Sequence, residues 1–120
     1  MAYGIMTRSN CDDDLTGTLG RLVDILEDRK VAEPESSYVA GLYASGDEAI
    51  LRKIGEESSE LVVAGAFGTA QEIVHEMADL WFHTLVFLSY KGLALDDVIR
   101  ELNGRFGQSG LAEKAARTQI

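Results

Sequence analysis

The stretch GEESSELVVAGAFGTAQEIVHEMAD (residues 55–79) decides the fold, because two acidic pairs lie on either side of an apolar run that contains glycines. Residues three or four apart share one face of a helix. Glu57 occupies the missing position of an apolar stripe on the first side, and Glu76 lies within an apolar stripe on the second. The pattern predicts two long amphipathic helices whose acids face the interior.

The acids are placed symmetrically about Gly68, which is the best candidate for a turn between the two helices. Residue 68 is the midpoint of Glu60 and Glu76, and also the midpoint of Glu57 and Asp79. An antiparallel hairpin that turns at this glycine would bring both pairs level. We therefore expect four carboxylates to converge across the hairpin.

Four converging carboxylates indicate a cation site. Like charges at short range in a partly dry site repel one another, or some of them take up protons. A single acidic pair on a helix is more often a solvated face, but two pairs that are symmetric about a turn favour a metal. Oxygen-only ligands suit Mg²⁺, and Mn²⁺ is an alternative. Both ions also bind phosphate oxygens.

The rest of the chain predicts further helices, so we expect an all-α fold. Residues 1–17 are predicted to be a flexible N-terminal extension, and residues 18–120 a single domain. Within this domain, Pro34 marks a break after the first helix, and Asp47 and Thr69 are candidate N-caps of the long helices. The predicted helices cover residues 18–31, about 37–46, 47 to about 65, 69 to 90 or 91, about 96–106, and 109–117.

Composition excludes several classes of function. The chain has 20 acidic and 11 basic residues and a net charge of −9, which argues against nucleic-acid binding. Cys11 is the only cysteine, so neither an intramolecular disulfide nor a cysteine-based zinc site is possible. No run reaches the roughly 18 apolar residues of a membrane span. We expect a cytoplasmic protein whose partner is cationic or arrives with metal ions.

Several polar residues near the four acids are further candidates. Glu56 lies at the edge of the predicted site, where it could orient a ligand, accept a proton from water, or face solvent. Lys53 shares the face of the acids and could meet a phosphate, whereas Arg52 points further round the helix. Glu72 could be an outer ligand but fits an exposed acid of the first turns better. His83 is more typical of a satisfied core or interface histidine than of a ligand.

The segments KIGEESSEL (53–61) and EMAD (76–79) match the EExxE…ExxD pattern of the MazG-type all-α nucleoside-triphosphate pyrophosphatases. The match extends over residues 19 to about 118, where the sequence resembles the phosphoribosyl-ATP pyrophosphatase family. The segments that carry this resemblance are SSYVAGLYASG (36–46), ILRKIGEESSELVVA (50–64), EMADLWFHTLVFLSYKGLALDDVI (76–99) and RFGQSGLAEKAAR (105–117).

The resemblance implies hydrolysis of phosphoribosyl-ATP to phosphoribosyl-AMP and pyrophosphate with Mg²⁺, the second step of histidine biosynthesis. It assigns metal ligation to Glu57, Glu60, Glu76 and Asp79. Together with the reading of the neighbouring residues, it makes Glu56, Glu57 and Lys53 catalytic candidates, and Lys53 and Arg52 substrate-binding candidates. It also implies a MazG-like helical bundle completed by a homodimer or a higher even oligomer, which agrees with the all-round apolar run at residues 80–88.

Two other interpretations share the acidic site. One is a house-cleaning pyrophosphatase that acts on dUTP or damaged nucleotides, although its relatives lack the flanking segments. The other is a non-catalytic helical dimer that uses its acids for metal-dependent assembly. A nucleotide assay separates the three, because each predicts a different set of substrates.

Overall fold

The computed structural model of the chain describes residues 8–107 and residue 117, with side chains described from residue 17 onward. These residues form helices and turns but no strand, which confirms the predicted all-α class. Two short 3-10 turns, Arg29–Val31 and Pro34–Ser36, join the first helix to the second. The α-helices are α1 (Arg8–Asp28), α2 (Tyr38–Ser45), α3 (Asp47–Phe67), α4 (Ala70–Tyr90) and α5 (Leu95–Asn103).

The first helix is longer than the sequence predicts. It begins at Arg8 instead of Thr18, so residues 8–17 of the predicted extension are helical. Gly17 suggested a boundary, but a single glycine inside a helix costs only about 1 kcal/mol, and neighbouring residues can offset that. The flexibility of the extension stays a prediction. The last predicted helix, residues 109–117, lies outside the described residues except for Arg117.

The junction between α2 and α3 depends on one glycine. The Ser37 hydroxyl caps α2 by accepting a hydrogen bond from the Ala40 backbone N–H at 3.3 Å. Gly46 then ends α2 with φ of 88°, a conformation that favours glycine, and it directly precedes α3. The predicted N-cap at Asp47 is therefore wrong by one residue, because Gly46 serves both helices. Asp47 instead forms an ion pair with Lys91 at 3.0 Å. This pair joins the start of α3 to the end of α4.

Helices α3 and α4 form the predicted antiparallel hairpin, with Gly68 and Thr69 between them. The Thr69 hydroxyl accepts a hydrogen bond from the Glu72 N–H at 3.1 Å, which confirms Thr69 as an N-cap. The Gly68 N–H donates to the Ala64 carbonyl at 2.8 Å. A Cβ on Gly68 would lie 2.8 Å from that same carbonyl oxygen, so any other residue would force the backbone of this turn to shift.

The apolar core lies at the end of the hairpin that is remote from the turn. There α1 and α2 pack against the beginning of α3 and the end of α4. The Tyr43 hydroxyl donates to the Leu26 carbonyl at 3.0 Å, and its ring stacks on Tyr90. The buried residues of this cluster are Leu26, Val39, Leu42, Ile50 and Val86.

The apolar run at residues 80–88 is only partly covered within one chain. Val86 is fully buried, whereas Trp81 is 53% exposed. Trp81 continues an exposed apolar stripe on α4 that also contains Val74 and Met77. None of the described helices combines the length and apolarity that a membrane span requires.

Candidate metal centre

The middle of the α3–α4 hairpin carries the predicted acids. Glu57 and Glu60 lie on α3, and Glu76 and Asp79 lie on α4. Glu57, Glu60 and Glu76 each offer a carboxylate oxygen, and these oxygens lie within 4.8 Å of one another. The structure therefore brings three of the four predicted ligands into a single group that spans both helices.

Asp79 belongs to a second group that overlaps the first. Its carboxylate lies within 4.8 Å of ligand atoms of Glu76 and His75. The Nε2 atom of His75 is 3.3 Å from Asp79 Oδ2. Glu76 belongs to both groups, so the four acids form one continuous row. Sequence reasoning missed His75, although its spacing of four residues from Asp79 is a signal that could have found it.

Two oxygen atoms in this row are buried and lack hydrogen-bond partners. Among the described side chains, these are Oε2 of Glu57 and Oε2 of Glu76. Glu57 is only 5% exposed. Buried carboxylate oxygens without a donor are strongly unfavourable unless a cation or a proton compensates them. The donor set, which is all oxygen in the first group, fits a hard divalent cation.

Burial and crowding raise the pKa of two of these acids. Burial raises the pKa of Glu57 above its ordinary value, and the neighbouring Glu60 carboxyl and the Asp79 charge raise it further. Burial also raises the pKa of Glu76, again with a contribution from Glu60. Both shifts have the direction expected when carboxylates are held together without a compensating cation.

Of the two predicted basic residues, only Lys53 lies beside the acids. Its Nζ atom is 3.5 Å from Glu56 Oε2 and 3.6 Å from Glu57 Oε1. Attraction to the Tyr38 phenolate, which forms only at high pH, and to the Glu56 and Glu57 carboxylates raises the pKa of Lys53 above its ordinary value of 10.5. Lys53 is therefore a cation at neutral pH. Arg52 instead pairs with Glu48 at 2.9 Å on an exposed surface. It lies about 140° round the helix from Glu57, which is why the structure does not bring it to the acids.

His83 is a buried histidine with both ring nitrogens in contact with partners. Its Nδ1 atom is 2.9 Å from the Asp79 backbone carbonyl, and its Nε2 atom is 2.8 Å from the Tyr38 hydroxyl. This arrangement agrees with the sequence-based view of His83 as a satisfied core residue. Tyr38 was not singled out from the sequence, since nothing in its local pattern predicts a contact with a residue on α4.

An open groove of about 380 Å³ runs from the acids toward the turn of the hairpin. Glu72 lies at its far end, where its Oε1 atom accepts a hydrogen bond from the Thr69 hydroxyl at 3.3 Å. Two of the four predicted ligands, Glu60 and Glu76, therefore line a groove that is open on one side of the hairpin. The lining residues are Ser59, Glu60, Val63, Ala64, Phe67, Gly68, Glu72 and Glu76.

Comparison with known proteins covers nearly the whole described chain. A family model described as phosphoribosyl-ATP pyrophosphohydrolase matches residues 19–106. The phosphoribosyl-ATP pyrophosphatase of Methylococcus capsulatus is 58% identical over 99 residues, which cover 82% of this chain and 94% of that protein. The proteins of the same name from Ralstonia nicotianae and Geobacter sulfurreducens are 51% and 50% identical, over 86% and 84% of this chain and 92% and 94% of their own lengths. The chain belongs to the phosphoribosyl-ATP pyrophosphohydrolase family.

Proposed function

We propose that the chain hydrolyses phosphoribosyl-ATP to phosphoribosyl-AMP and pyrophosphate, the second step of histidine biosynthesis. The activity named for its relatives and the family match support this substrate. The observation that carries the chemistry is the group formed by Glu57, Glu60 and Glu76, which contains two buried carboxylate oxygens without hydrogen-bond donors. A divalent cation bound between these carboxylates and the phosphate oxygens of the substrate would compensate this charge.

We further propose that Glu57, Glu60, Glu76 and Asp79 hold Mg²⁺. Their oxygen atoms suit this ion, and the open groove beside Glu60 and Glu76 leaves room for phosphate oxygens. Mn²⁺ also prefers carboxylate and water ligands, so it is compatible with the same site as a substitute. The metal would neutralise charge on the phosphate oxygens and lower the pKa of a bound water.

The residues around the acids have distinct roles in this proposal. The Lys53 ammonium lies between Glu56 and the buried Glu57, where it can contact a phosphate oxygen of the substrate. The Glu56 side chain is half exposed and lies outside both ligand groups, so it is free of the metal and can accept a proton. A water oxygen bonds to one phosphorus of the α–β anhydride, the bond from that phosphorus to the bridging oxygen breaks, and the bridging oxygen stays with the leaving group. One water proton passes to Glu56, and the other stays on the new phosphate oxygen.

The proposal includes a homodimer, or a higher even multiple, in the cytoplasm. The exposed stripe of Val74, Met77 and Trp81 on α4 has the i, i+3, i+7 spacing of a helix face that packs against another helix. A twofold pairing would cover it. Light scattering at micromolar concentration tests this part, and a monomer would contradict it. The single cysteine supports a reducing compartment.

The function is tested by measuring pyrophosphate release with Mg²⁺. The substrates are phosphoribosyl-ATP, dUTP and a panel of ordinary triphosphates, with Glu57→Gln as the inactive control. We expect release from phosphoribosyl-ATP far above that from the other nucleotides. Release from dUTP or the panel alone would favour a house-cleaning pyrophosphatase, and no release from any nucleotide would favour a non-catalytic dimer.

A further inference from the structure

We propose that Tyr38 is a positioning residue for the candidate metal centre, and that it acts through His83. The inference rests on the proposed function, because it assigns a role within the same site. Tyr38 is the first residue of α2, and His83 lies on α4. The 2.8 Å contact between the Tyr38 hydroxyl and His83 Nε2 therefore ties α2 to the helix that carries two of the acids.

The direction of this hydrogen bond follows from the partner on the other side of the ring. His83 Nδ1 is 2.9 Å from the backbone carbonyl of Asp79, and a carbonyl can only accept a hydrogen bond. Nδ1 therefore carries the hydrogen. In the neutral imidazole, Nε2 is then an acceptor, and the Tyr38 hydroxyl donates to it. Partial burial raises the pKa of the Tyr38 phenol, so that it retains its hydrogen at neutral pH.

The same ring faces candidate ligands from both helices. Its Nδ1 atom, already bonded to the Asp79 backbone on α4, lies 3.8 Å from Glu57 Oε1 on α3. The positive end of the N–H dipole thus lies beside the buried Glu57 carboxylate. Phe82 packs edge-on against the ring at a centroid distance of 5.2 Å. The hydrogen bond from Tyr38 holds the other ring nitrogen, Nε2, in place. It thereby fixes the orientation of the His83 ring relative to Glu57.

Partners that orient metal ligands typically change metal affinity or activity ten- to a hundredfold when they are removed. Tyr38 acts one residue further out, so we expect an effect near the lower end of that range. Tyr38 is 56% exposed and lies outside the apolar core cluster, so removing its hydroxyl should leave the packing of that cluster intact. Tyr38→Phe therefore isolates the hydrogen bond.

Tyr43→Phe is the matched control. Tyr43 is also on α2, and its hydroxyl also donates a hydrogen bond between helices, to the Leu26 carbonyl at 3.0 Å. That bond lies in the apolar core and contacts none of the acids. Its loss should lower the melting temperature without changing turnover or metal affinity.

The experiment compares wild type, Tyr38→Phe and Tyr43→Phe by three measurements. Mn²⁺ affinity is determined by electron paramagnetic resonance without nucleotide, kcat and KM are determined with phosphoribosyl-ATP, and the fold is monitored by thermal melting. For Tyr38→Phe we expect Mn²⁺ affinity and kcat to fall about tenfold, with KM changed less than about twofold. In ¹⁵N NMR spectra, wild-type His83 should show a protonated Nδ1 and an unprotonated Nε2, and Tyr38→Phe should disturb this pattern.

Two results would overturn the inference. Tyr38→Phe with wild-type Mn²⁺ affinity and kcat would leave Tyr38 a merely structural role. A raised KM with unchanged kcat and Mn²⁺ affinity would make Tyr38 a substrate contact instead. Failure of the wild type to release pyrophosphate from phosphoribosyl-ATP would refute the proposed function separately, because the Mn²⁺ measurement needs no substrate.

Discussion

The two ends of the α3–α4 hairpin are built on different principles. At the end remote from the turn, Ile50 and Val86 are both 0% exposed and pack against α1 and α2. Toward the turn, Phe67 is 90% exposed. Between the two ends lie the four acids, and Glu57 and Glu76 each have a buried oxygen without a hydrogen-bond partner. The contrast indicates that apolar packing at one end holds the helices together while the middle keeps like charges close.

This division explains why repulsive carboxylates can persist in a folded protein. Fully burying an aliphatic side chain contributes about 1.5–3 kcal/mol, and several such residues meet at the packed end. That stabilisation is available to offset unfavourable interactions elsewhere in the same two helices. Substitutions in the two regions should therefore have different effects. Those in the middle should lower activity, and those at the packed end should lower stability.

The largest effect is expected from Glu57→Gln. Loss of a buried ligand should lower kcat about a thousandfold, equivalent to about 4 kcal/mol of transition-state stabilisation. The fold should remain intact or become more stable without metal, since a crowded charge is removed. Glu48→Gln, an exposed acid on the same helix, is the control and should keep normal turnover. Near-wild-type activity of Glu57→Gln at saturating Mg²⁺ would exclude Glu57 as a ligand.

Asp79→Asn should also abolish most turnover.

At the packed end, Ile50→Ala should destabilise the protein by about 3 kcal/mol, because the substitution leaves a cavity in the core. Val31→Ala is the control, since Val31 is 91% exposed and its truncation should change stability by less than about 0.5 kcal/mol. Urea unfolding monitored by circular dichroism measures both. Equal stability losses in the two variants would contradict the assignment of the core to this end.

The geometry of the turn is tested by substituting two glycines in turn. Gly68→Ala should destabilise the protein by about 1–2 kcal/mol, because the new Cβ would clash with the Ala64 backbone. Gly65→Ala, three residues earlier in α3, meets nothing within 4 Å and should stabilise the helix by up to about 1 kcal/mol. If thermal melting showed the same change in both variants, the tight geometry of the hairpin turn would be incorrect.

A smaller effect is expected from pH in metal-free protein. Burial raises the pKa of Glu57 above its ordinary value of 4.5, so the folded chain binds a proton more tightly than the unfolded chain. The contribution of this group to stability therefore increases as pH falls from neutral through the raised pKa. The Glu57→Gln variant lacks this pH-dependent contribution, because its amide does not titrate. Its stability advantage over wild type should shrink as pH falls from neutral toward 4.5, and a constant difference would argue against the shift.

Much of this organisation follows from local pattern. Stripes of period 3.6 and the turn at Gly68 were enough to predict the hairpin and the pairing of Glu60 with Glu76. The early start of α1 was not, because it depends on how neighbouring residues offset Gly17 inside the helix. The double role of Gly46 was not either, because it depends on a positive φ where two helices meet. The link from Tyr38 to His83 joins residues 45 apart in sequence, and no local spacing encodes such a contact. His75 was within reach of sequence reasoning, since it shares a face with Asp79.

The central claim is that the acids form a metal site already in the free enzyme, and thermal melting with Mg²⁺ tests it most directly. Metal that binds only the folded state adds RT ln(1 + [M]/Kd), about 2.7 kcal/mol at a hundred times Kd. Millimolar Mg²⁺ should therefore raise the melting temperature of wild type, and Glu76→Gln should blunt the rise. Sodium chloride at matched ionic strength should do less, because screening does not occupy the site. A melting temperature that is indifferent to Mg²⁺ in both proteins would contradict the claim and would mean that metal arrives with the substrate.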